Sequence, residues 1–208
     1  MIRRAASAPV VVLGALASAG ACAGPSAPPL VQPGAPGQPA RVVDRDAARA
    51  APAHSEADVH FMHSMIPHHG QALEMVALVP SRTTSEAVRA MALRMEISQR
   101  DEIAWIERWL RSHGAEMPVH GDHAMTAPGM LTPEQMGRLR AARGDEFDRL
   151  FLASMIQHHE GAITMVRTLF ATSGAGQSSE IFQFANDVEV DQRIEIERMR
   201  TLLQGGGR

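Results

Sequence analysis

Two stretches of the chain share one hydrophobic rhythm. In the first, Phe61, Met65, His68, Ala72, Met75 and Val79 are spaced 4, 3, 4, 3 and 4 residues apart. In the second, Phe151, Met155, His158, Ala162, Met165 and Leu169 keep the same spacings. Alternating threes and fours place these side chains on one stripe of an α-helix, the stripe that packs into a bundle. Two further stretches obey the same seam: Val88, Ala92, Met95, Gln99, Glu102, Ile106 and Trp109, and then Ile181, Ala185, Val188, Gln192, Glu195, Met199 and Leu202. Four long helices with one apolar stripe each predict an all-α fold, a four-helix bundle running up-down-up-down.

The likeness goes beyond rhythm. Residues from Asp58 to Val76 match Asp148 to Val166 at an offset of 90, and Gln99-Arg-Asp-Glu102-Ile103 matches Gln192-Arg-Ile-Glu195-Ile196 at an offset of 93. The bundle therefore reads as a duplicated helical hairpin. Ser55 and Asp58 form a capping box for the first helix, and Pro80 is expected to end it. Thr132 followed by Pro133 opens a short extra helix in the central link, before Gly144. Asp145 is expected to cap the third long helix. Pro67 falls inside the first helix, where a proline frees the carbonyl four residues earlier.

Outside these helices the pattern changes. Arg3 and Arg4 precede an apolar run from Ala5 to Ala17, and Ser18-Ala19-Gly20-Ala21 lead to Cys22. A positive start, a short apolar core and small residues mark a secretory signal over residues 1–21. Cys22, the only cysteine, then stands where a bacterial lipoprotein is lipidated, with plain secretion as the alternative. Residues 22–54 are rich in Pro, Ala and Gly and read as a disordered tether. The folded domain is left with residues 55–204, enough for one real core. The expected location is the cell envelope, with the membrane met through the lipid anchor alone.

Charge narrows the partners. The formal net charge is -3, both signs are interspersed, and no basic stripe exists to track a phosphate backbone, so nucleic acid is excluded as a partner. The 13 Met and 10 His are the unusual counts. They matter because His68, Gln99, Glu102, His158, Gln192 and Glu195 fall on inward seams, where an unpaired polar group costs about 2 kcal/mol or more.

Two explanations fit that polar seam. One is a satisfied network in which Glu102 and Glu195 accept from His68 and His158. The other is a metal site, favoured because His68-His69 and His158-His159 each have a Met three residues before and seven after the first histidine. Adjacent helical residues point about 100° apart, so His68 and His158 are the inward pair while His69 and His159 face a neighbouring helix. Candidate ligands are Met65, His68, His69 and Met75 with Met155, His158, His159 and Met165; Gln99, Glu102, Gln192 and Glu195 are supporting or additional ligands. Di-iron bundles place Glu-x-x-His where this chain has Met-x-x-His-His, and exchanging a hard oxygen for a soft sulfur shifts preference from iron to copper, as Cu(I) or Cu(II). Zinc is the next choice. A second candidate, His113, Met117, His120, His123 and Met125 in the link between the hairpins, is either a metal-collecting loop or a plain surface loop.

The repeated Phe-Met/Leu-x-x-Met-Ile-x-His-His-x-x-Ala-x-x-Met motif, the Gln-x-x-Glu-Ile helices and Met130-Leu-Thr-Pro-Glu-Gln-Met136 together resemble the family called domain of unknown function 305. The resemblance spans roughly Ser55 to Leu203. It implies a ferritin-like bundle in exported bacterial proteins, some of them copper-binding. Gly70, which follows the first histidine pair, departs from the pattern and suggests a locally loosened helix. The expected function is metal binding for buffering, tolerance or transfer in the envelope. A redox enzyme of ferritin-like type and a structural lipoprotein with a hydrogen-bonded polar core are the rivals, and homo-oligomerisation and the delivery partner are left open.

Overall fold

The computed structural model describes residues 28–32, 39–46, 54–115 and 127–205. Among these residues the helices with defined bounds are, in order, α1 (Glu56–Arg82), α2 (Glu86–Ser112), α3 (Pro133–Ala141), α4 (Gly144–Ala171) and α5 (Ser179–Gly205). α1 pairs with α2 and α4 with α5, and the two hairpins meet chiefly through α1 and α4, the helices that carry the histidine pairs. The chain is thus an all-α bundle with one short helix in the link. Among the described residues no helix is long and apolar enough to cross a membrane.

The first helix starts as its capping box requires. Ser55 Oγ accepts from the Asp58 amide, and the Ser55 amide donates back to the Asp58 carboxylate at 2.8 Å. Thr132 and Gln135 repeat the device ahead of α3, with Pro133 in its first turn. Two boundaries differ from expectation. Pro80 does not end α1, which continues to Arg82; a proline removes its own donor but leaves later amides free, and the Thr83 amide still reaches the Val79 carbonyl at 3.3 Å. Asp145 is not the cap of α4. The cap position belongs to Arg143 without a side-chain bond, and Asp145 lies in the first turn, where a carboxylate meets the positive end of the helix dipole. α1 also runs unbroken through Pro67 and Gly70.

The stretch expected to be a structureless tether holds a short antiparallel pairing, β1 (Leu30–Gln32) with β2 (Arg41–Val43), Leu30 opposite Val43. Arg41 Nη2 donates to the Phe170 carbonyl near the end of α4 at 2.6 Å. The signal segment and Cys22 lie outside the described residues.

The core divides into two apolar clusters. One holds Ala72, Met75, Met95, Leu139, Phe147, Phe151, Met155 and Met199; the other holds Phe61, Met65, Ile106, Leu110, Ala162, Met165, Ile181 and Val188. Each cluster takes one end of α1 and the opposite end of α4, so these two helices run antiparallel. What lies between the clusters is the polar seam.

Candidate metal centre

His68 and His158 meet at that boundary. Both are fully buried, with ring centroids 3.8 Å apart and planes tilted by 37°. The antiparallel run of α1 and α4 decides which methionines flank them. Met65 and Met165 lie in the cluster on one side, Met75 and Met155 in the cluster on the other. Each side therefore receives the methionine before one histidine and the methionine after the other. Met65, Met75 and Met155 have no exposed surface.

Hydrogen bonds fix the protons on three of the four rings. His68 Nε2 lies 3.1 Å from the Pro128 carbonyl, an oxygen that can only accept, so Nε2 carries the proton and Nδ1 the lone pair. His69 Nε2 donates to Glu102 at 2.5 Å, and His159 Nε2 donates to Glu195 at 2.6 Å. The glutamates therefore do not bond His68 and His158, as a satisfied network on the inward seam required. Adjacent positions diverge around the helix, and it is the sideways histidines that reach α2 and α5. A ring held through Nε2 by a carboxylate or carbonyl, with its other nitrogen bare, has the support commonly built behind a metal-ligating imidazole. The Nδ1 atoms of His68, His69, His158 and His159 are all buried without a hydrogen-bond partner. His158 Nε2 has no hydrogen-bond partner either.

Burial also settles charge. Desolvation, helped by the neighbouring His69, pushes His68 down to about 3. Desolvation and the nearby His68 hold His158 well below the usual imidazole range. Both rings are neutral near pH 7 and present lone pairs, the form a metal ion needs.

A strap from the central link covers the pair. The Gln71 amide nitrogen donates to the Leu131 carbonyl at 3.0 Å, and the Leu131 amide donates back to Gln71 Oε1 at 2.7 Å. This two-handed clamp fixes the strap on α1, and bare backbone lets it onto α4. A Cβ on Gly161 would sit 2.0 Å from the Pro128 carbonyl oxygen, and one on Gly129 would sit 2.6 Å from the Gln157 carbonyl oxygen. Gly129 also has φ of 78°, which side chains other than glycine rarely adopt. Beside the strap lies a cavity of about 270 Å³ whose walls include His60, Ser64, Pro128 and Met165. The sequence reading missed Gln71, Pro128, Gly129 and Gly161. The signal that could have found them is the unlike pair Gln71 and Gly161 at matching places in otherwise like motifs.

Gln99 and Gln192 are buried as expected, and Gln99 has neither amide atom hydrogen-bonded. Burial and the nearby Glu102 and Glu195 raise the Asp191 carboxyl above its usual range. Glu189 on α5, not foreseen, is fully buried with one oxygen paired to Arg193 and the other bare. Among the described residues no group of three or more His, Cys, Asp or Glu is gathered to hold a metal. The donors at the boundary are paired imidazoles, with thioethers in the cluster on either side, a set suited to a soft cation rather than a hard one. Of the second candidate site, His113 stands at the end of α2, while Met117, His120, His123 and Met125 lie outside the described residues.

Comparison with known proteins follows the same line. The family model described as domain of unknown function (DUF305) matches residues 58–203. A DUF305 fragment from Deinococcus radiodurans is 30% identical, covering 74% of this chain and 99% of its own, with a TM-score of 0.64. A DUF305 protein from Streptomyces coelicolor is 28% identical over 73% of this chain and 92% of its own, with the same TM-score. CopM in its Cu(II)-bound form is 25% identical over 71% of this chain and 96% of its own, with a TM-score of 0.57. No curated protein matches.

Proposed function

The chain belongs to the DUF305 family, and from that premise we propose that its bundle carries a soft transition-metal cation, copper before zinc or iron, as cargo. The observation that supports this best is the buried His68–His158 contact at 3.8 Å, in which neutral rings keep bare nitrogens between two methionine-lined clusters. A purely structural core gains nothing from such nitrogens, since apolar rings would fill the space without burying unpaired polar atoms. In this reading His68 and His158 are the central ligands. Met65, Met75, Met155 and Met165 supply thioether sulfur from either side. His69 and His159, oriented by Glu102 and Glu195, are the outer imidazoles. CopM, a structural relative, takes Cu(II).

The protein's place in the cell belongs to the same proposal. The positive start, apolar run and Cys22 describe an exported, lipid-anchored chain, and one family relative is named as a candidate secreted protein. Buffering the metal or handing it on in the envelope is the role this reading assigns to the site. Titrating Cu(I) and Cu(II) against a competing chelator tests the site. We expect tight binding that falls at least a hundredfold when His68 and His158 are both changed to Ala. Equal binding by wild type and a folded double variant would remove the bundle site, and no tight binding by either would leave a structural role.

A further inference from the structure

A second cluster of nitrogen donors lies at the end of the bundle where α1 begins and α2 stops. His54, just before the Ser55 cap, packs edge-on against His113 with centroids 5.0 Å apart at 85°, and against Trp109 at 5.3 Å and 79°. His113 in turn stacks on Trp109 at 4.3 Å and 24°. Trp109 is buried and serves as the floor beneath the imidazoles.

The hydrogen bonds again assign the protons. His113 Nδ1 lies 2.9 Å from the Trp109 carbonyl oxygen, which can only accept, so Nδ1 is the donor and Nε2 keeps its lone pair. His54 Nδ1 is buried with no hydrogen-bond partner. One ring is thus held in the orientation of a metal-ligating histidine, and the ring against it offers a bare buried nitrogen. At His54 aromatic packing alone would be met by a phenyl ring, without stranding a polar atom.

We propose that His54 and His113 form a second site for a soft monovalent cation, Cu(I) or its redox-silent stand-in Ag(I), seated beside Trp109. Imidazole nitrogen beside an indole suits a d10 ion of low coordination number, whereas zinc asks for four ligands. The site is separate from the His68–His158 pair. His54 precedes α1, and His68 lies twelve residues beyond the first helical residue Glu56, about 18 Å along the helix. Its existence does not depend on the central reading.

The test uses the full chain with Trp105→Phe, which leaves Trp109 as the sole indole because the chain has 2 Trp. Phe at 105 keeps a ring against Phe184, where Trp105 now stacks at 4.5 Å. Silver nitrate in chloride-free buffer is titrated while Trp109 emission is followed. The expected result is a saturable change that weakens at least tenfold in His54→Ala and in His113→Ala but persists in His68→Ala. Imidazole nitrogen NMR of the unsubstituted chain gives a readout that needs no variant: silver should shift His113 Nε2 and His54 Nδ1 and leave His113 Nδ1 nearly unmoved. A response lost with His113→Ala but kept with His54→Ala, one that follows His68→Ala, or the absence of any saturable change or nitrogen shift would each overturn the proposal.

Discussion

The two hairpins are built on one motif and differ in how they hold their histidines. In both, the second histidine of the pair donates to a glutamate on the partner helix, His69 to Glu102 and His159 to Glu195, at 2.5 and 2.6 Å. The first histidines are treated differently. His68 is tied through Nε2 to the Pro128 carbonyl, while both ring nitrogens of His158 are bare. The difference comes from the strap. Where the first hairpin has Gln71 to clamp Leu131, the second has Gly161 to admit Pro128, and where the first has Pro67, the second has Gln157 to reach the Gly129 carbonyl. The shared residues build a symmetrical pair of supported imidazoles. The unlike residues lay a cover across that pair and fix one of its two rings.

The largest consequence concerns the pair itself. A histidine whose folded value is pushed down binds fewer protons folded than unfolded, so its contribution is complete above about 6.5 and is lost as pH falls. For His68 the window runs from about 6.5 down to about 3. At 1.36 kcal/mol per pH unit the loss from His68 alone reaches about 2 kcal/mol by pH 5. His158 acts in the same direction. Urea unfolding of metal-free protein at pH 7.5 and pH 5 should show this fall, and His68→Leu should make it shallower while leaving the share of His158. A stability that is level across that range would mean the rings are not buried as neutral groups.

The strap comes next. Gln71→Ala strands the buried amide and carbonyl of Leu131, each worth about 1–3 kcal/mol when unpaired. Gln157→Ala removes only exposed bonds, to the Gly129 carbonyl and from the Gln135 amide, and should change stability by about 0.5 kcal/mol at most. Thermal unfolding of the two variants side by side measures how unequally the hairpins carry the strap. Equal effects would erase the contrast.

Gly161→Ala attacks the same cover from α4. Its new methyl would meet the Pro128 oxygen at 2.0 Å, so the strap must lift, and the expected cost is about 1–3 kcal/mol. Lifting the strap also takes the acceptor from His68 Nε2. The His68 imidazole should then lose its single-tautomer nitrogen signature in NMR, while the His159–Glu195 pair keeps its own. A variant as stable as wild type, with His68 unchanged, would show that the strap does not press on α4.

Much of this was legible in the sequence because periodicity is a statement about direction. Spacing alone told that His68 and His158 point inward and that His69 and His159 point aside. Caps at Ser55 and Thr132 were readable because they are local chemistry. The partners of the inward histidines were not readable. A backbone carbonyl such as that of Pro128 carries no side-chain signature, and its contact with His68 spans sixty residues. The seam pattern also could not show which methionines share a side, since that depends on α1 and α4 running antiparallel. The short β1–β2 pairing was hidden by a composition rich in Pro, Ala and Gly.

The smallest effect offers the sharpest control on the strap. Gly70 and Gly161 both sit within long helices beside a histidine pair, and glycine in a helix interior costs about 1 kcal/mol relative to alanine. Read from sequence, Gly70 marks a loosened helix, yet α1 passes through it without a break and a Cβ there would meet nothing within 4 Å. Gly70→Ala should therefore stabilise the protein by about 0.5–1 kcal/mol, opposite in sign to Gly161→Ala, and should leave metal affinity unchanged. Paired denaturation curves for the two variants decide the matter. Should Gly70→Ala destabilise as well, the helical glycines would share a need unrelated to the strap, and the asymmetry between the hairpins would have to be sought elsewhere.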